Sequence, residues 1–135
     1  MTLPYYLKSE KIMIEVGNRA GLGPTYNNIG LIYDNKGAWD KALDYFLKSE
    51  KIMIEVGDRA GLVPTWFNIG AIYLKKHDKK GADRYLILAG YIALTQGMPH
   101  TLDQMAWALN PVIEEMGADR FMAEGRRLCE ERGMV

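Results

Sequence analysis

The chain has 135 residues, of which 48% are hydrophobic and 25% are charged. This composition is typical of one globular domain, and the length is sufficient to bury a hydrophobic core. Lysine plus arginine number 17 and aspartate plus glutamate number 17, so the formal net charge is zero and the sequence lacks the basic field of a nucleic-acid-binding protein.

An internal repeat organises the first two thirds of the chain. The segment from Leu7 to Gly17 recurs letter for letter from Leu47 to Gly57, at an offset of 40 residues. The segments 19–22 and 28–30 recur in the same register as 59–62 and 68–70. Self-similarity at a fixed period of about 20–50 residues indicates stacked supersecondary units.

Each period predicts two antiparallel helices. Residues 4–17 match a second helix and form a half repeat. The next first helix is expected from about Pro24 to Lys36, because proline suits the first turn of a helix. Its partner is expected from about Trp39 to Val56 and ends at Gly57. We expect the buried side of this second helix to carry Ala42, Leu43, Phe46, Leu47 and Ile54.

The same plan continues to the end of the chain. A first helix is expected from Pro64 to Lys76, and a last pair from about Thr101, as the cap, to Met116 and from Asp119 to Arg132. The sequence thus predicts an all-α fold of seven helices in an antiparallel stack. It forms a single domain over 1–135, with repeats at 23–57 and 63–97 and a degenerate or capping pair at 101–132.

The first helices resemble the tetratricopeptide repeat. Residues 66–73 read Trp-Phe-Asn-Ile-Gly-Ala-Ile-Tyr and are followed by Ala82, and residues 26–33 are followed in the same way by Ala42. The period of 40 is longer than the usual 34 and is similar to that of kinesin light chains and many bacterial members. The resemblance implies a short right-handed α-solenoid that serves as a protein-binding scaffold, in which Gly30 and Gly70 let paired helices approach closely.

The resemblance also implies a concave groove, lined by the first helices, that binds a peptide or helix of another protein. It places in that groove Asn27, Asn28, Leu31, Asn35, Phe67, Asn68, Ala71, Leu74, Lys75 and Trp107, and Asp34, Pro111 and Glu114 are also expected to face it. Asn28 and Asn68 match an asparagine that contacts a ligand backbone in long-repeat members, but an amide equally suits a bond between repeats. Phe67 and Trp107 fit either partner anchors or packing between helices. Because Lys75 is the only cation in the set, no basic clamp for a carboxylate is expected.

The sequence predicts no enzyme, no cofactor and no metal site. His77 and His100 lack a second ligand at metal-binding spacing, and Cys129 falls at a small-residue packing position where a buried, inert thiol is expected. No phosphate loop or nucleophile elbow occurs. Protein binding is therefore the leading hypothesis. The alternatives are self-association through the unpaired first helix, as a dimer or a domain swap, and an enzyme or small-ligand sensor.

The chain carries no visible targeting signal. Its amino-terminal residues show no basic segment followed by an apolar run, and no stretch of 18 apolar residues occurs. We therefore expect no secretory signal and no membrane partner. The single cysteine cannot form a disulfide within the chain, which favours a reducing compartment and predicts a cytoplasmic protein.

Overall fold

The structure, a computed structural model, describes residues 2–134. Within this range the chain forms seven α-helices and no β-strand, which confirms the predicted all-α class. The helices are α1 (Leu3–Val16), α2 (Arg19–Asn35), α3 (Trp39–Val56), α4 (Arg59–Lys75), α5 (Lys79–Thr95), α6 (Pro99–Met116) and α7 (Ala118–Glu131).

The first five helices pack mainly against their neighbours in the chain. The most extensive contacts join α2 to α3 and α4 to α5, which are the two predicted helix pairs. Helix α3 also packs against α4, and α2 touches α4, so one pair is stacked on the next. This is the consecutive arrangement of a helical repeat solenoid. The last two helices differ, because α6 and α7 both pack against α5 and contact each other less.

The first helix of each repeat begins earlier than its proline predicts. Helix α2 begins at Arg19 rather than at Pro24. The Asn18 side chain accepts a hydrogen bond from the Gly21 amide at 3.0 Å, and so caps the first turn. Asp58 caps α4 in the same way, at 2.9 Å from its donor. The residues just before each proline, which lie outside the predicted helices, therefore form the first helical turn, and the proline lies inside the helix.

The last helix pair also departs from its predicted boundaries. Helix α6 begins at Pro99 instead of Thr101, and Met98 occupies the N-cap position without a side-chain hydrogen bond. Proline at the first helical position loses no hydrogen bond, which explains the earlier start. Helix α7 runs from Ala118 to Glu131, within one residue of the prediction at each end.

Two glycines mark the closest approach of the paired helices. A Cβ atom built on Gly30 would lie 2.6 Å from the ring of Phe46, and one built on Gly70 would lie 3.2 Å from the side chain of Leu86. A residue without a side chain is needed for the first of these contacts. Both glycines thus lie at the predicted close approach of paired helices, but only Gly30 requires the absence of a side chain.

One main hydrophobic core runs from α3 to α7. Its largest fully buried side chains include Phe46, Trp66 and Phe121. A smaller cluster lies where α1, α2 and α3 meet. One predicted core residue is wrong: Leu47 is 39% exposed, because no neighbouring helix covers its side chain fully. Ile54 is half-buried.

Candidate protein-binding groove

The first helices of the three pairs, α2, α4 and α6, are joined by contacts between predicted groove residues. Asn27 meets Asn68 between α2 and α4, and Phe67 meets Trp107 between α4 and α6. We use the name groove for the surface that these helices share, which carries Asn27, Leu31, Asp34, Phe67, Ala71, Leu74, Lys75, Trp107 and Pro111.

A polar network occupies the α2–α4 end of the groove. The side-chain oxygen of Asn27 (Oδ1) accepts hydrogen bonds from the Thr65 hydroxyl at 3.0 Å and from the side-chain amide of Asn68 at 3.4 Å. Beneath them the buried Ser49 hydroxyl lies 3.4 Å from that of Thr65. Asn68 therefore makes a bond between repeats. Asn28, its counterpart in the first repeat, makes no side-chain hydrogen bond to residues 2–134 and stays a candidate for contact with a ligand backbone.

The predicted cation of the groove is engaged by a neighbouring helix. The Lys75 ammonium lies 2.8 Å from a carboxylate oxygen of Asp34 and links α4 to α2. Of the other predicted residues, Asn35 is exposed, while Leu31 and Ala71 are half-buried. Leu31 also packs against the main core, so only part of its surface can meet a partner.

An aromatic pair lies across α4 and α6. The rings of Phe67 and Trp107 meet edge to face, with their centroids 6.0 Å apart and their planes at 86°. This is a favourable geometry for aromatic rings. Phe67 is half-buried against the core, whereas Trp107 is 66% exposed. Of the two predicted anchors, the second offers the larger free surface.

A depression of about 370 Å³ opens beside the exposed indole. Its apolar lining comes from α4, α5 and α6, and its edge carries three charged side chains. Leu74, Trp107 and Pro111 were predicted for this surface. The sequence does not predict the contribution of α5, because only first helices are expected to line the groove and α5 is a second helix. Its amino-terminal part nevertheless reaches the depression. The lining is Leu74, Lys79, Asp83, Leu86, Trp107, Ala108, Pro111, Val112 and Glu115.

The charged edge of the depression contains one ammonium group shared by two carboxylates. Lys79 lies 2.7 Å from an oxygen of Asp83 and 3.0 Å from an oxygen of Glu115. The hydrogen bond to Asp83, followed by that to Glu115, raises the pKa of Lys79 above its ordinary value. The two acids together outweigh the one base, so this edge carries excess negative charge.

A second unusual surface lies on α1. None of its described residues is buried, and Tyr5, Ile12, Ile14 and Val16 are all exposed. The helix that the sequence predicts to be unpaired thus leaves an apolar side open at Tyr5, Ile12 and Val16, while Tyr6 is half-buried.

Between residues 2 and 134 no three His, Cys, Asp or Glu side chains are grouped so that they could hold a metal ion. Cys129 is buried as predicted, and burial raises the pKa of its thiol against the smaller opposing effects of Arg132 and Arg59. None of the described helices is long and apolar enough to cross a membrane.

Comparisons of the chain with protein-family models, with curated proteins and with solved structures found no match. The tetratricopeptide resemblance therefore rests on the residues of the repeats themselves.

Proposed function

We propose that this chain is a protein-binding module of the tetratricopeptide type, and that its groove holds a peptide or helix of another protein. The observation that carries the proposal is the Trp107 indole, which is 66% exposed beside an apolar depression. Concave, mostly apolar sites with a few polar groups at their edge are the usual places where proteins bind ligands. Tryptophan is also among the residues that contribute most to the free energy of binding at protein interfaces.

The surroundings of the indole support the same function. Phe67 contacts the indole edge to face, and Leu74 and Pro111 line the same depression. A partner side chain could enter the depression while its backbone passes the amide groups farther along the groove. The resemblance of the repeats to a protein-binding family points the same way, although a fold alone does not determine function.

A matched pair of leucines provides the test. Leu74 lines the depression and is 37% exposed, whereas Leu47 lies on α3 outside the groove and is 39% exposed. Leu74→Glu should abolish capture of partner proteins from a native lysate, and Leu47→Glu should leave it unchanged. Circular dichroism would verify that both variants fold. Equal capture by both variants and the wild type would contradict the assignment of the groove.

A second candidate function is self-association through α1, as a dimer or a domain swap. It is favoured by one comparison: Ile12 is 53% exposed, while Ile52, at the same place in an identical segment, is 5% exposed. Helices of a repeat protein bury their apolar faces only against neighbours, so the open side of α1 would gain stability from a second copy. Sedimentation should then give a mass that rises with concentration, and Ile12→Glu should restore the monomer. A constant monomer mass would contradict this candidate.

A further inference from the structure

The depression in the groove has an apolar floor and a charged mouth. Leu74, Leu86 and Val112 contribute to the floor, and the indole of Trp107 forms one exposed wall. Its volume of about 370 Å³ is at the lower end of the range for ligand pockets, roughly 300–1,000 Å³. The depression therefore has room for a bulky apolar side chain but cannot accept a charged group into its floor without a partner for that charge.

The mouth of the depression is negatively charged. Asp83 and Glu115 share the single ammonium of Lys79. Glu114 follows Pro111 by three positions and Trp107 by seven, so all three side chains lie on one face of α6. Glu114 forms no ion pair with any residue from 2 to 134. Two carboxylates thus share one ammonium at the mouth, and a third, Glu114, lies on the α6 face that carries the exposed indole.

The next part of the groove adds no free positive charge. Lys75, at the end of α4, is paired with Asp34 of α2 at 2.8 Å. A partner carboxylate that approached the depression would meet acids and two occupied lysines. A partner ammonium or guanidinium would instead meet Asp83 and Glu115, two carboxylates that share the single ammonium of Lys79.

We propose that the segment bound in the groove carries a bulky apolar side chain with a lysine or arginine close to it in sequence. This inference rests on the proposed function and specifies the partner's chemistry. The apolar side chain enters the depression, and the basic group lies at the mouth beside Glu114 and Glu115. Because the same carboxylates repel an acidic neighbour, they select against acidic segments as well as for basic ones.

The effect of the charges is modest and depends on salt. Glu114 and Glu115 are exposed, and pairs of exposed charges change an equilibrium constant by about two- to five-fold each. Replacing the basic residue of a bound peptide by glutamate should therefore weaken binding by about ten-fold when two carboxylates are involved, and less at high ionic strength.

Selection from a displayed library of random twelve-residue peptides tests the inference. The baits are the wild type, Leu74→Glu, and a double variant with Glu114→Lys and Glu115→Lys, each checked for folding. Wild-type selection should enrich peptides that combine a large apolar residue with lysine or arginine. These peptides should fail to bind Leu74→Glu, and the double variant should lose the enrichment of basic residues.

The outcomes separate this inference from the proposed function. One contrary outcome is that the peptides fail to bind Leu74→Glu but show no enrichment of basic residues. The other is that the double variant enriches basic residues as strongly as the wild type. Either would overturn the inference, while the groove would still be a binding site. If no selected peptide depends on Leu74, both the proposed function and the inference fail.

Discussion

Ile12 and Ile52 occupy the same place in two identical segments, yet their environments are opposite. Ile52 is 5% exposed and lies in the cluster formed by Leu22, Tyr26 and Ile29 of α2. Ile12 is 53% exposed. Since the local sequence is the same from residue 7 to 17 and from 47 to 57, the difference arises entirely from the tertiary packing. Helix α3 has α2 against this side, and α1 has no such neighbour among the described residues.

This pair gives a built-in control for the contribution of burial. Ile52→Ala should lower the free energy of unfolding by about 2–5 kcal/mol, because it leaves a cavity in the core. Ile12→Ala should change it by less than about 0.5 kcal/mol, as is usual for an exposed site. Urea denaturation of both variants at low protein concentration measures the difference. An equal loss would mean that the open side of α1 is covered in solution.

Gly30 and Gly70 should respond differently to alanine. The new methyl group at residue 30 would lie 2.6 Å from the rigid ring of Phe46, so we expect a loss of about 1–3 kcal/mol from overpacking. At residue 70 the nearest atoms belong to the Leu86 side chain at 3.2 Å, which can move. There the gain in helix propensity, up to about 1 kcal/mol, should offset most of the cost. Thermal unfolding would reveal the contrast, and similar losses at both positions would refute it.

His77 adopts a backbone conformation that favours glycine. Its φ is 59°, close to the 76° of Gly37 at the same place in the first repeat. Left-handed backbone geometry costs a residue with a side chain roughly 1–2 kcal/mol relative to glycine. Glycine gains only part of this difference, because its unfolded chain has more conformational freedom to lose on folding. His77→Gly should therefore stabilise the protein by about 0.5–1 kcal/mol and raise the midpoint of thermal unfolding. Gly37→Ala is the reverse control and should lower the midpoint. A fall in the midpoint for His77→Gly would contradict the strain.

Cys129 should be protected from thiol reagents in the folded protein. It is buried on α7, and this burial raises the pKa of the thiol, so little thiolate forms at neutral pH. We expect slow modification by a disulfide reagent at pH 7 and rapid modification in denaturant. Fast labelling of the native protein would show that α7 opens readily or that the thiol is accessible.

The sequence predicted the number and order of the helices because the repeat fixes the positions of the apolar residues and of the terminating glycines. The early starts of α2 and α4 do not follow from the pattern, because Pro24 and Pro64 suit a first helical turn equally well, whereas the caps at Asn18 and Asp58 lie farther upstream. Leu47 is wrongly predicted as buried, since an apolar residue at helical spacing does not reveal whether a neighbouring helix covers it.

The candidate site was predicted only in part. The repeat register predicts Phe67, Leu74 and Trp107 for the groove. Nothing in the sequence indicates that the rings of Phe67 and Trp107 meet. The lysine and acids at the mouth of the depression come from the consecutive helices α5 and α6, but Lys79 and Glu115 are 36 residues apart in the chain. Their proximity depends on how the degenerate last pair packs against α5, and no repeat pattern specifies that packing.

The most direct test of the central claim is photo-cross-linking from the groove. A benzophenone-bearing amino acid replaces Pro111, which is exposed and lines the depression while the Trp107 indole stays intact, and in a control protein it replaces the exposed Leu47 on α3. In native lysate, irradiation should produce a specific covalent adduct with a partner protein from position 111 and none from position 47. Absence of an adduct at position 111, or the same adducts from both positions, would contradict the assignment of the groove as the binding site.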